Sequence, residues 1–203
     1  MFYVLGCSSR PRRRLDRSDY RARGYKKLGV KWFRGAPFEV PVPAPMQLRL
    51  LPLEDGNPDH AEYMPPYIEG CSNYFFRDDL LQTLFACGVD NFDTYPVEIS
   101  DPDSGKIYTD YKAVNIIGAV AAADMEKSKY LLSDGIPLID VSFEELVLRK
   151  DEIQDLLVFR LAENLMTILV HESVRNALID KGFISGVDGD AIEFYKTDEV
   201  AIL

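Results

Sequence analysis

Residues 77–117 read RDDLLQTLFACGVDNFDTYPVEISDPDSGKIYTDYKAVNII, and two periods follow one another in them. Leu80, Leu81, Leu84 and Phe85 recur at helical spacing, and Gly88 stands where such a helix stops. The spacing predicts a helix over 77–87 with Leu84 and Phe85 facing inward. From Phe92 the period changes to two: Tyr95, Val97 and Ile99 fall on one side of an extended chain, and Thr94, Pro96 and Glu98 on the other. Asp101-Pro102-Asp103-Ser104-Gly105 is a turn, and Lys106 to Ile117 returns as the second strand of a hairpin. A helix followed by an antiparallel hairpin, with no steady βαβ rhythm on either side, argues for an α+β fold. We expect a mixed or antiparallel sheet with a few helices.

Downstream, Ala121 to Leu132 reads as a helix ended by Asp134-Gly135. Ile136–Val141, Val158–Leu161 and Met166–Val170 read as short strands. Glu172 to Lys181 is an amphipathic helix with Val174, Leu178 and Ile179 inward, His171 at its cap and Gly182 as its stop. Ala191 to Tyr195 is a last strand. Upstream, Met1–Leu5, Val30–Phe33 and Gln47–Leu53 read as strands, while Pro37, Pro41, Pro43 and Pro45 impose extended chain between the last two. We therefore expect a smaller, irregular, proline-rich part at 1–70, carrying a basic loop, packed on a regular α+β part at 73–203. The inward positions include Val114, Ile116, Leu161, Ile168 and Val170.

Charge is distributed unevenly. Residues 1–35 hold eleven Lys or Arg against Asp16 and Asp19, a balance of +9, whereas residues 36–203 carry −19. A basic arm beside an acidic body is the direct reading. Cys7, Cys71 and Cys87 are odd in number and widely spaced, so neither a disulfide framework nor a zinc site is expected, and reduced cysteines in a cytoplasm fit best. No apolar run approaches the roughly 20 residues needed to span a bilayer, and a secretory signal is not expected from Met1–Leu5.

The search for chemistry is short. Imidazole bases are limited to His60 and His171. No G-x-S-x-G, H-E-x-x-H or glycine-rich phosphate loop occurs. The Asp101-x-Asp103-x-Gly105 segment resembles the start of a calcium loop, but Lys106 and Lys112 stand where such a loop needs glycine and glutamate. No catalytic residue, metal or cofactor is expected. The segment 10–27, with Tyr20 and Tyr25 among its cations, raises a nucleic-acid-binding or regulatory module as an alternative. A basic arm folded over its own acidic body is the competing reading, and an enzyme of unidentified type is a further one.

Three segments carry a resemblance: Tyr95-Pro96-Val97-Glu98-Ile99, Tyr111-Lys112-Ala113-Val114-Asn115, and Asp124-Met125-Glu126-Lys127-Ser128-Lys129-Tyr130. With Leu146-Val147-Leu148, Val158 to Glu163 and Ile168-Leu169-Val170 before the last helix, this order resembles the immunity-protein family of bacterial polymorphic toxin systems over roughly residues 73–187. His171 departs from it, standing where a serine cap is expected, as does the basic stretch after Ser9. The resemblance implies a non-catalytic cytoplasmic protein that binds and neutralises a cognate toxin, often a nuclease, encoded by a neighbouring gene. Neither nucleic acid nor membrane is expected as a partner. Asn115 and Arg160 are expected to be buried hydrogen-bonding groups. Because turns project from a scaffold, the acidic turns with Asp101, Asp103, Asp188 and Asp190 are the expected toxin contacts.

Overall fold

The computed structural model describes residues 1–7, 13–16, 30–53, 64–70, 73–132, 141–183 and 192–198. In chain order the strands are β1 (Phe2–Cys7), β2 (Met46–Arg49), β3 (Tyr67–Glu69) and β4 (Tyr74–Arg77), after which comes helix α1 (Asp78–Ala86). Then follow β5 (Phe92–Ser100), β6 (Ile107–Tyr108), β7 (Tyr111–Ile116), β8 (Ala119–Val120), β9 (Lys129–Leu132) and β10 (Val141–Glu145). The chain continues through a 3-10 turn at Lys150–Glu152, β11 (Val158–Leu161), β12 (Asn164–His171), α2 (Glu172–Asp180) and β13 (Ile192–Lys196). The fold is α+β.

The strands form two large sheets and a ribbon. One sheet has the order β2-β5-β7-β4-β3, with β6 also on β5. Only its β2–β5 pair is parallel. The other runs β13-β1-β12-β11-β8, antiparallel except for β8. The ribbon is the antiparallel pair β9–β10. Pro96 in β5 marks a change of partner: residues 92–96 pair with β7, and from Val97 onward β5 pairs with β2. A residue without an N–H fits such a junction.

Both large sheets are covered on both faces, because side chains alternate across a strand. On β4, Tyr74 and Phe76 join a core shared by both sheets and both helices, while Phe75 points to the opposite face. On β12, Ile168 and Val170 enter the shared core, and Leu169 enters a third cluster beneath the ribbon. Helix α1 contributes Leu80, Leu81 and Leu84, and α2 contributes Val174 and Leu178. Phe85 and Ile179 do not join them: they are exposed, Phe85 meeting Phe92 edge-on at the surface. Each lies one position beyond a buried leucine, about 100° around the helix.

The division between 1–70 and 73–203 runs through the sheets. β1 lies between β12 and β13, β2 adds to β5, and β3 to β4. Leu48 and Leu50 are buried against β5 and β7 with Trp32, Met46 and Leu15. Several expectations of local structure are corrected. The stretch from Lys106 to Ile117 breaks into β6 and β7, with the carbonyl of Asp110 accepting a hydrogen bond from the N–H of Asp78. Val30–Phe33 leads into turns around the buried Trp32. The helix expected at 121–132 is absent. Ala122 and Ala123 are buried under the ribbon, the chain turns at 125–127, and Lys129–Leu132 is a strand. Alanine's helix propensity, worth tenths of a kcal/mol per residue, yields there to burial and pairing. Of the strand expected at 136–141, only Val141 lies within the described residues, at the start of β10.

Candidate functional site

The acidic turn between β5 and β6 closes through backbone bonds from Asp101 N to Lys106 O and from Gly105 N to Asp101 O, both 2.9 Å. Gly105 takes φ +69°, a conformation suited to glycine. Asp101 does not project from this turn. It is 2% exposed, with its carboxylate directed onto Arg13, whose Nη2 lies 2.6 Å from Oδ2. Ser104 Oγ donates to the same oxygen at 2.7 Å, and Asp103 N donates to Oδ1 at 3.0 Å. Burial alone would raise the Asp101 pKa, but the Ser104 hydroxyl, the Arg13 guanidinium and the Asp103 amide together hold it below the ordinary carboxylate value. Asp103 is partly exposed, yet it accepts from Arg13 Nη1 and from Leu53 N, both at 3.1 Å.

These bonds strap the N-terminal segment across the sheet edge. Leu15 bridges Leu50, Asp16 N donates to Arg49 O, and Leu51 N donates to Arg14 O. Arg13 is thus engaged by the chain's own acidic turn, while residues 10–12 and 17–27 of the basic stretch lie outside the described residues. Asp101 is corrected from a surface contact to a buried structural carboxylate. Nothing in residues 101–105 signals this, because the partner lies about 90 residues upstream. Asp188 and Asp190 lie outside the described residues.

His171 caps α2: its Nδ1 accepts from Ser173 N at 3.3 Å and lies 2.8 Å from Ser173 Oγ, filling the role expected of a serine there. Its ring also meets Phe2 edge-on. His60 lies outside the described residues. Among the described residues, no group of three or more His, Cys, Asp or Glu is arranged to hold a metal ion, and no helix is long and apolar enough to cross a membrane.

The remaining surface feature of note is the ribbon. Its inner face, Tyr130, Val141 and Phe143, seals the third core cluster. Its outer face alternates with this one: Lys129 pairs with Glu145 and Leu131 lies opposite Ser142. Leu131, on this outer face, is 53% exposed; Leu132, opposite the inward Val141 at the end of the strand, is 65% exposed. The sequence did hint at a hairpin here. Val141 and Phe143 alternate with Ser142 and Glu144, and Asp134-Gly135 precedes them.

A family model described as the immunity protein family (Imm11) matches residues 43–197, about three-quarters of the chain. This chain belongs to the Imm11 immunity protein family. No curated protein matches it. Membership in an immunity protein family implies a toxin as partner.

Among the described residues, the Imm11 match takes in both helices and every strand except β1. Two polar residues expected inside it are buried as anticipated. Asn115 Nδ2 donates to Ala36 O at 2.9 Å, joining β7 to the loop after Trp32. Arg160 is fully buried, with Nη1 donating to Leu165 O at 2.7 Å and its guanidinium over the rings of Tyr74 at 5.3 Å and Phe33 at 5.8 Å. No carboxylate pairs with Arg160 among the described residues; burial pushes its pKa down, and Tyr74 opposes that. The Glu163 carboxylate instead accepts from Ala123 N at 3.2 Å. In this Imm11 chain these groups tie elements together inside the fold.

Proposed function

We propose that this protein binds a cognate toxin encoded beside it and neutralises it by occupying its working surface, with no chemistry of its own. The toxin in this reading is a nuclease of a polymorphic toxin system. The protein acts in the cytoplasm to protect the producing cell and its kin. The observation that carries the reading is the immunity-family match across residues 43–197. The −19 borne by residues 36–203 supports it. A nuclease that grips phosphate is basic around its site, and an acidic inhibitor is steered toward it. The engagement of Arg13 by Asp101 and Asp103 favours this over a nucleic-acid module built on residues 10–27. Asp103, Asp188 and Asp190 are proposed to steer a basic toxin by their charge during its approach.

Growth provides the test. The C-terminal domain of the protein encoded next to this one is induced in cells with and without this chain. Restored growth, with cellular nucleic acid left intact, is expected. Continued killing at equal expression of the two proteins would refute the proposal.

A further inference from the structure

We propose that the toxin docks on the free edge of the β9–β10 ribbon, with Leu131 on its outward face and Leu132 at the end of the strand as the apolar contacts. The proposal rests on the reading of this protein as a toxin-binding inhibitor and assigns the surface that does the binding.

The ribbon is built like a platform. Its inner face is fixed by Tyr130, Val141 and Phe143, and its root by reciprocal bonds between Ser128 and Val147. Side-chain alternation then turns Leu131 outward on a strand that cannot rotate to hide it. Val147 is exposed as well, beyond the Lys129–Glu145 pair. Among the described residues, no strand pairs with the other side of β9. Exposed strand edges invite pairing with another chain, and proteins usually blunt them with charge, proline or a covering element. Here Tyr130, Leu131 and Leu132 bring neither charge nor proline, and Lys129 is already paired with Glu145.

The charge at the margin specifies the partner. Lys127 is paired with Asp124 and Lys129 with Glu145, while Glu126 in the turn before β9 and Glu144 on β10 are exposed. An uncharged strand edge with exposed leucines and unpaired carboxylates on the same ribbon fits a partner whose strand or apolar pocket is bordered by cations. That is the surface expected of a basic toxin, whereas the ribbon of a second copy would set the same carboxylates against these. A stable complex buries about 800 Å² on each partner, so a four-residue strand is the anchor and its surroundings supply the rest. A few residues near the centre of an interface carry most of its binding energy.

The test is the affinity of purified chain for the toxin domain encoded beside it, by biolayer interferometry, for wild type, Leu131→Asp with Leu132→Asp, and Ile107→Asp. Ile107 is equally exposed but lies on β6 beside the acidic turn. Circular dichroism and melting confirm folding, and Leu131→Thr with Leu132→Thr replaces the aspartate pair if that variant fails to fold. Loss of affinity by about 30-fold or more at the ribbon, the scale of a hot spot, with Ile107→Asp unchanged, supports the proposal. Wild-type affinity in the ribbon variants overturns the docking surface and leaves the inhibitor reading standing. Loss confined to Ile107→Asp moves the interface to the acidic turn. No binding by the wild-type chain overturns both readings. A dimer of the free chain that the ribbon variants dissociate would show that a second copy is the occupant and overturn the assignment to the toxin.

Discussion

Removing Arg13 or Asp101 tests whether the strap is part of the fold. Both side chains are 0% exposed and their charged atoms lie 2.6 Å apart. Breaking a buried pair by deleting one partner typically costs about 3–5 kcal/mol, because the other charge is left uncompensated. Asp101→Ala should reach about 4 kcal/mol, since Arg13 then retains only the partly exposed Asp103. Arg13→Ala should cost about 3 kcal/mol, because Ser104 and the Asp103 amide continue to bond Asp101. The double variant should cost less than the two together by about 2 kcal/mol, as expected for residues in direct contact. Urea unfolding followed by fluorescence reports on this region, because the one tryptophan, Trp32, shares a core cluster with Leu15 and Leu50. Single costs below about 0.5 kcal/mol, the level of surface substitutions, or costs that simply add, would refute the reasoning. The same proteins separate structure from contact: Asp101→Ala, if still folded, should keep its toxin affinity.

The pair also sets a pH dependence. Asp101 has its folded pKa lowered, so its contribution to stability is full above the ordinary aspartate value of about 3.9 and is lost as pH falls through the lower folded value. Urea midpoints measured between pH 7 and pH 3 should therefore fall less steeply in acid for Asp101→Asn than for wild type. Leu178→Ala should cost about 2–5 kcal/mol, while Phe85→Ala, at 45% exposure, should cost less than half as much in the same unfolding assay. His171→Ala should lose about 0.5–2 kcal/mol of stability through its cap and leave toxin binding unchanged in a titration.

Legibility tracked the range of the interactions. Helices α1 and α2, and the strands β5, β11, β12 and β13, were readable because their periodicity and their glycine stops lie within a dozen residues. Local pattern misplaced Phe85 and Ile179, each adjacent to a buried leucine, because one position of helix rotation decides burial. The run from Ala121 to Leu132 misled for a different reason. Its alanines favour helix, but their burial under β9 and β10 is a tertiary effect. The site shows the same limit more sharply. Asp101 carries every local mark of a projecting turn residue, and only the approach of Arg13 makes it interior. The ribbon with Leu131 and Leu132 was hidden behind the helix reading, so the surface proposed for docking emerged only with the strand pairing.

This Imm11 protein is proposed to work by binding a toxin. Calorimetric titration of the purified chain into the toxin domain encoded beside it tests that most directly. A one-to-one complex of nanomolar or tighter affinity is expected, within the range of stable interfaces of standard size. No detectable binding at micromolar concentrations of both folded proteins would contradict it.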